Sequence, residues 1–140
     1  MKKRFIIGLL LICQYSFSQT IIGKWVTIDD ETGNKKAIVE LFEDHGKLFG
    51  KIIDILEPEK RRQKCTKCEG ADKDKPILGL TIIKGMSKTE DGYEGGEITD
   101  PKNGKTYRCM ISFGGKDKLI VRGYLGISLF GRSQTWIRQK

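Results

Sequence analysis

A chain of 140 residues with 38% hydrophobic and 31% charged positions has the composition of one folded domain, which excludes disorder and a bundle of apolar membrane helices. Seventeen glycines against three prolines suit a fold with many tight turns, as in small all-β proteins. The formal charge is +8, part of which belongs to the first four residues.

Met1-Lys2-Lys3-Arg4 is a basic start, Phe5 to Cys13 is an apolar run, and Ser16 and Ser18 are small residues placed for cleavage after Ser18. We read residues 1–18 as a signal peptide and 19–140 as one domain. The apolar run is shorter than the ~18 residues a transmembrane helix needs, and no later segment reaches that length. Cys13 follows Ile12 and not the small residue that precedes a lipidated cysteine. The expectation is an exported protein, periplasmic or secreted, with no transmembrane segment. Without Lys2, Lys3 and Arg4 the charge falls to about +5, enough to suit an anionic envelope surface. A soluble basic domain with no anionic partner is the commoner case. Nucleic acid is not an expected partner, because export separates the protein from it and no aromatic-and-basic stacking motif occurs.

The mature chain reads as strands between turns. Ile22 to Asp29 is β-rich and ends at the turn cluster Asp30-Glu31-Thr32-Gly33-Asn34. Lys36 to Phe42 follows, with Ala37, Val39 and Leu41 on one face and Ile38, Glu40 and Phe42 on the other. Asp44-His45-Gly46 turns into Lys47 to Leu56. Glu57 to Lys75 breaks the pattern: Pro58 to Lys64 suits a short polar helix with proline in its first turn, and Cys65-Thr66-Lys67-Cys68 comes next. Ile77 to Ile83 is an apolar strand, and Lys84-Gly85-Met86 leads into a polar turn. Tyr93 to Thr99 and Tyr107 to Phe113 flank Asp100-Pro101-Lys102-Asn103-Gly104. In that turn proline presets φ, and Asn-Gly tolerates positive φ, so its wording fixes a register without invoking a site. Lys118 to Tyr124, a link over Gly126 to Gly131, and Ser133 to Arg138 complete the chain.

The fold class is therefore all-β, a single antiparallel up-and-down barrel of about eight strands with one longer cysteine-containing loop. Closure would remove the exposed sheet edges. Gly23-Lys24-Trp25 near the start and Arg138 near the end resemble the lipocalin-type arrangement, in which a guanidinium stacks on an indole and closes the barrel floor. Trp136 and Arg132 are alternative local partners.

As a set, Gly23-Lys24-Trp25, Gly46 to Ile52, Cys65-Thr66-Lys67-Cys68, Asp100 to Tyr107, Val121 to Gly126 and Gly131 to Trp136 resemble the bacterial domain-of-unknown-function 2147 family. The resemblance implies small exported proteins with a lipocalin-like barrel. It implies no activity, and so no catalytic residue.

Signal removal leaves Cys65, Cys68 and Cys109, with three ways to make one bridge. Cys109 shares with Lys105, Tyr107, Ile111 and Phe113 a face more apolar than that of Thr106, Arg108, Met110 and Ser112, so it reads as a buried core thiol. Cys65 and Cys68 then form a local disulfide or a redox-responsive pair. Lys60, Arg61, Arg62, Lys64 and Lys67 surround that pair in sequence, and positive charge lowers a thiol pKa. The βαβ context of a thioredoxin-type pair is missing. Cys65, Cys68, Cys109 and His45 match zinc by ligand type but lack a second close-spaced pair, so neither metal nor cofactor is expected. His45 reads as a solvated turn residue, and Glu40, Asp54 and Glu97 as solvated or ion-paired strand carboxylates.

A barrel of this size either fills with side chains or holds one small ligand. Gly50, Gly79, Gly95, Gly96 and Gly123 would leave space for one. The segment Gly123 to Gly131 carries Tyr124, Leu125, Ile127, Leu129 and Phe130, and reads equally as a plug or as a hydrophobic mouth. The leading expectation is a non-catalytic binding module for a small apolar or amphipathic molecule or an envelope component. An envelope interaction protein with a filled barrel and a basic contact loop is second, and a thiol-redox protein third.

Overall fold

The computed structural model describes residues 20–127, 129 and 131–140. The expected signal peptide and the expected mouth residue Phe130 lie outside the described residues. Eight strands are present among the described residues: β1 Gly23–Ile28, β2 Lys35–Asp44, β3 Lys47–Ile55, β4 Thr81–Lys88, β5 Gly92–Thr99, β6 Thr106–Phe113, β7 Lys118–Tyr124 and β8 Gly131–Arg138. Each pairs antiparallel with the next, and β1 pairs with β8, so the sheet is a closed up-and-down barrel as expected. No helix among the described residues is long and apolar enough to cross a membrane.

Alternation drives closure. Val39 and Leu41 of β2 point inward with no exposure, and Phe42 between neighbouring strands faces out, half-buried. The largest buried side chains, Trp25, Trp136, Leu41, Leu48, Met86 and Leu119, belong to one core, each contributing roughly 1.5–3 kcal/mol through burial. Space at two of the barrel glycines is already taken. A Cβ at Gly50 would lie 3.0 Å from Leu41 Cδ2 and 3.1 Å from Ile83 Cβ, and one at Gly96 would meet Met86 and the backbone of Lys84. These glycines permit close packing; they do not open a cavity.

Three local readings need correction. Pro58 to Lys64 is not a helix but a single 3-10 turn at Pro58–Lys60, with a second at Gly70–Asp72. The fourth strand begins at Thr81, not Ile77. Ile77 and Leu80 are apolar because they pack onto the barrel core while Leu78 stays exposed, and the segment is tied to β3 where Gly79 N donates to Ile52 O and Ile52 N to Leu80 O. Nor does the strand stop at Ile83. It continues to Lys88 through a bulge at Gly85 (φ +68°), which brings Ile83 and Met86 to the same face although they are three residues apart.

Topology sorts the connections between two ends. The β2–β3, β4–β5 and β6–β7 turns share the end that holds Trp25 and Arg138. At the opposite end meet the β1–β2 turn, the long 56–80 loop, the β5–β6 turn and the β7–β8 link.

Candidate functional site

At the Trp25 end, Arg138 lies over the indole, 4.3 Å from the guanidinium carbon to the ring centroid. Its NH2 group donates to Thr20 O (2.6 Å), its Nε to Asp117 Oδ1 (3.2 Å), and Trp25 Nε1 donates to Ile21 O (2.9 Å). This end is a floor. The alternative partners are occupied elsewhere: Trp136 Nε1 donates to Gln134, and Arg132 pairs with Asp30 and with Glu31.

The opposite end is built around the β5–β6 turn. Asp100 Oδ1 accepts from Lys102 N and Asn103 Oδ1 from Lys105 N, both at 2.8 Å, while Asn103 Nδ2 donates to Tyr107 Oη at 3.0 Å. The short polar side chains thus hold the turn in shape. It is also a seat for the cysteine loop. Gly104 has φ +72°, and a Cβ there would overlap the Lys67 carbonyl; Cys65 Sγ lies 3.7 Å from Pro101 O. Within the loop Cys65 and Cys68 form a disulfide, both buried, and Cys65 N donates to Lys75 O and Asp74 N to Cys65 O.

Loop and turn enclose a cleft of about 460 Å³ lined by Lys67, Cys68, Thr99, Asn103, Thr106 and Leu125, among others. Thr99 and Thr106 hydroxyls are hydrogen-bonded across the strands at 3.1 Å. Leu125 of the β7–β8 link lines the cleft and is 59% exposed, and further along the link Ile127 is 57% and Leu129 81% exposed, while Tyr124 is half-buried. A polar cleft therefore adjoins an aliphatic rim, a surface suited to a molecule that is partly polar and partly apolar.

The other residues singled out in the sequence do not converge. Lys60 pairs with Glu57 at 2.8 Å, which holds its ammonium pKa up, and Arg61 reaches Ile55 O and Asp54. Arg62, Lys64 and Lys67 are exposed. Cys109 is buried inside the barrel, opposite Gly96 on β5, and burial pushes its thiol pKa up to about 12. His45 is in the β2–β3 turn at the floor end, hydrogen-bonded to Asp44, so the ligand set weighed for zinc is spread across the molecule. No group of three or more metal-ligating side chains occurs among the described residues. Glu40 and Glu97 stand on different strands, and Asp54 is engaged by Arg61.

A second groove, about 480 Å³, was not anticipated. It lies on the outer wall, between Phe42, Phe49, Thr81 and Lys84 of β2, β3 and β4 and residues 75–80 of the loop, with Asp72 beside them. The readable signal was Phe42, a large aromatic that alternation sets on the face opposite Val39 and Leu41, without saying which face is outward. Its partner across the strands, Phe49, required the register.

The family described as "Uncharacterized protein conserved in bacteria (DUF2147)" matches residues 23–138. The chain belongs to this family. The match covers most of the chain, including the strands, the cysteine loop and both ends of the barrel. No curated protein matches significantly. Among solved structures, HP1028 from Helicobacter pylori, described as belonging to the lipocalin family, superimposes with a TM-score of 0.77 at 19% sequence identity, covering 88% of this chain and 85% of that one. At that identity the likeness establishes a shared lipocalin-like barrel for this DUF2147 member.

Proposed function

We propose that this protein is an exported, non-catalytic binding module that takes a small amphipathic molecule at the barrel end opposite Trp25. The observation that carries this reading is the apolar rim of Leu125, Ile127 and Leu129 beside the cleft of Thr99, Asn103 and Thr106. Exposed aliphatics clustered on one loop are unfavourable in water unless something covers them. The side chains filling the barrel around Trp25, Trp136 and Met86 favour a shallow mouth site over a deep one. Export is supported by the basic-then-apolar N-terminus and by a disulfide, a bond that persists in oxidising compartments.

Native mass spectrometry of protein purified from the envelope tests this, together with titration by 11-(dansylamino)undecanoate, a fluorescent amphipath. The expected result is a retained adduct and saturable fluorescence that Leu125→Ser/Leu129→Ser weakens about ten-fold, or 1.4 kcal/mol. A bare mass with no saturable signal would sink the reading. The filled interior and the exposed Arg62, Lys64 and Lys67 favour the second reading, contact with an anionic envelope surface, and co-sedimentation with anionic vesicles by the bare protein would support it instead.

A further inference from the structure

The outer-wall groove meets the mouth cleft at Asp72, which lines both, and its chemistry is more specific. Its aromatic face is the Phe42–Phe49 pair, stacked with centroids 5.9 Å apart and planes at 22°. Both rings are half-buried on the outside of the barrel, and Leu78, 41% exposed, and Pro76 add aliphatic surface from the loop. The loop wall is fixed to the sheet: Gly79 and Leu80 bond Ile52, Ile77 N donates to Gln63 O, and Lys64 bridges Pro76. The groove is therefore a preformed feature of sheet and loop.

Polar groups enter it in one arrangement. Asp72 is mostly buried and accepts from Lys84 at 2.8 Å and from Lys75 at 3.4 Å, one carboxylate oxygen to each. A single carboxylate thus holds two ammonium groups together without neutralising both. Each ammonium has three N–H donors and uses one on Asp72, so both retain donors for another anion. Both lysine side chains are about half exposed. The other acid of the groove, Asp44, is hydrogen-bonded to His45.

We propose that this groove binds a small planar aromatic carboxylate, its ring against Phe42, Phe49 and Leu78 and its carboxylate bridging Lys75 and Lys84. Asp44 brings the formal charge of the groove's lining to zero, so the attraction is local: two ammonium groups held side by side on Asp72 present their remaining N–H donors to the carboxylate. The paired phenyl rings offer the flat surface on which an aromatic ring stacks. A volume of about 480 Å³ is in the range of small-molecule sites.

The test is an amide NMR titration of the ¹⁵N-labelled protein with 2-naphthoate, with 2-naphthylmethanol as the uncharged control. Naphthoate should give saturable shifts at Phe42, Phe49, Gly79 and Thr81. Lys75→Gln/Lys84→Gln should weaken binding about ten-fold or more, while Lys75→Arg/Lys84→Arg stays within about three-fold of the parent. The arginine pair keeps the charges opposite Asp72, and unligated amide shifts of residues 72–81 in the glutamine pair that match the parent separate loss of recognition from loss of loop structure. Equal binding of naphthylmethanol, shifts centred on Thr99, Thr106 and Leu125, or no saturation by ~10 mM would each overturn the proposal. Leu125→Ser/Leu129→Ser should leave naphthoate binding unchanged, which keeps the fate of this site separate from that of the mouth.

Discussion

Cys109 shows how one buried atom ties pH to stability. It lies on the inward face of β6, opposite Gly96, where a Cβ would collide with Met86, so the thiol is closed in by close-packed neighbours. Desolvation disfavours the thiolate and raises its pKa from 9.0 to about 12. In the unfolded chain the thiol ionises near its ordinary value, while in the folded barrel it stays protonated. Its contribution to stability is therefore whole below pH 9 and disappears as pH climbs towards 12. At ~1.4 kcal/mol per unit, about 2 kcal/mol is gone by pH ~10.5 and about 4 by the end of the window. Burial and the hydrogen bond to Glu43 push the Tyr93 hydroxyl the same way, so the parent protein alone cannot isolate the cysteine. Urea unfolding of the parent and of Cys109→Ala, each at pH 8 and pH 10.5, does so. Alanine costs stability at both pH values, but the parent should lose about 2 kcal/mol more than the variant between them. Parallel losses would mean that the thiol does not couple to folding.

The disulfide loop and the β5–β6 turn behave as one element. A bridge closing a ring of only four residues gives roughly 2 kcal/mol by chain entropy, so its larger effect is to shape the surface that meets Gly104. Reduction, or Cys65→Ser/Cys68→Ser, should therefore raise hydrogen exchange in residues 62–80 and 100–105 together and leave β7 and β8 protected. Gly104→Ala should do the same with the bridge intact, because its Cβ would overlap the Lys67 carbonyl. Faster exchange in the loop alone would show that the two are not mechanically joined. The sequence displayed each half of this element separately. Asp100, Asn103 and Gly104 are legible as turn chemistry, and Cys65 and Cys68 as a local pair, because both signals are carried by neighbours in the chain. Their docking depends on a contact between residues 36 apart, which no periodicity records. The strand order was legible for the converse reason: alternation and short turns are local. Bulges were not, since the glycine at 85 reads equally as a turn residue. The outer groove needed both the β2–β3 register and the path of a loop whose apolar end, residues 77–80, imitates a strand.

Closure of the whole barrel rests on one of its two shortest ladders, the other being β3–β4. β1 meets β8 in three register pairs, Trp25 with Arg138, Val26 with Ile137 and Thr27 with Trp136, against eight between β2 and β3. Beyond the ladder, Gln139 N donates to Lys24 O and Arg138 N to Asp117 O. The Arg138 side chain then joins three separate parts of the chain, stacking on Trp25, donating to Thr20 O and pairing with Asp117. It is only partly exposed, so these contacts are less screened by water than a surface pair. Stacking and a charge-assisted hydrogen bond together suggest a loss of about 2–3 kcal/mol for Arg138→Ala, or roughly 10 °C in Tm. Arg138→Lys discriminates the cause. An ammonium keeps the charge opposite Asp117 but has no planar face for the indole and cannot reach three partners in fixed directions. The lysine variant should recover less than half of the lost stability in a thermal melt. Both variants should also exchange faster at β1 and β8 amides than at those of β2 and β3. Full recovery by lysine would reduce the clamp to its ion pair, and uniform exchange around the barrel would mean that the seam is not where opening begins.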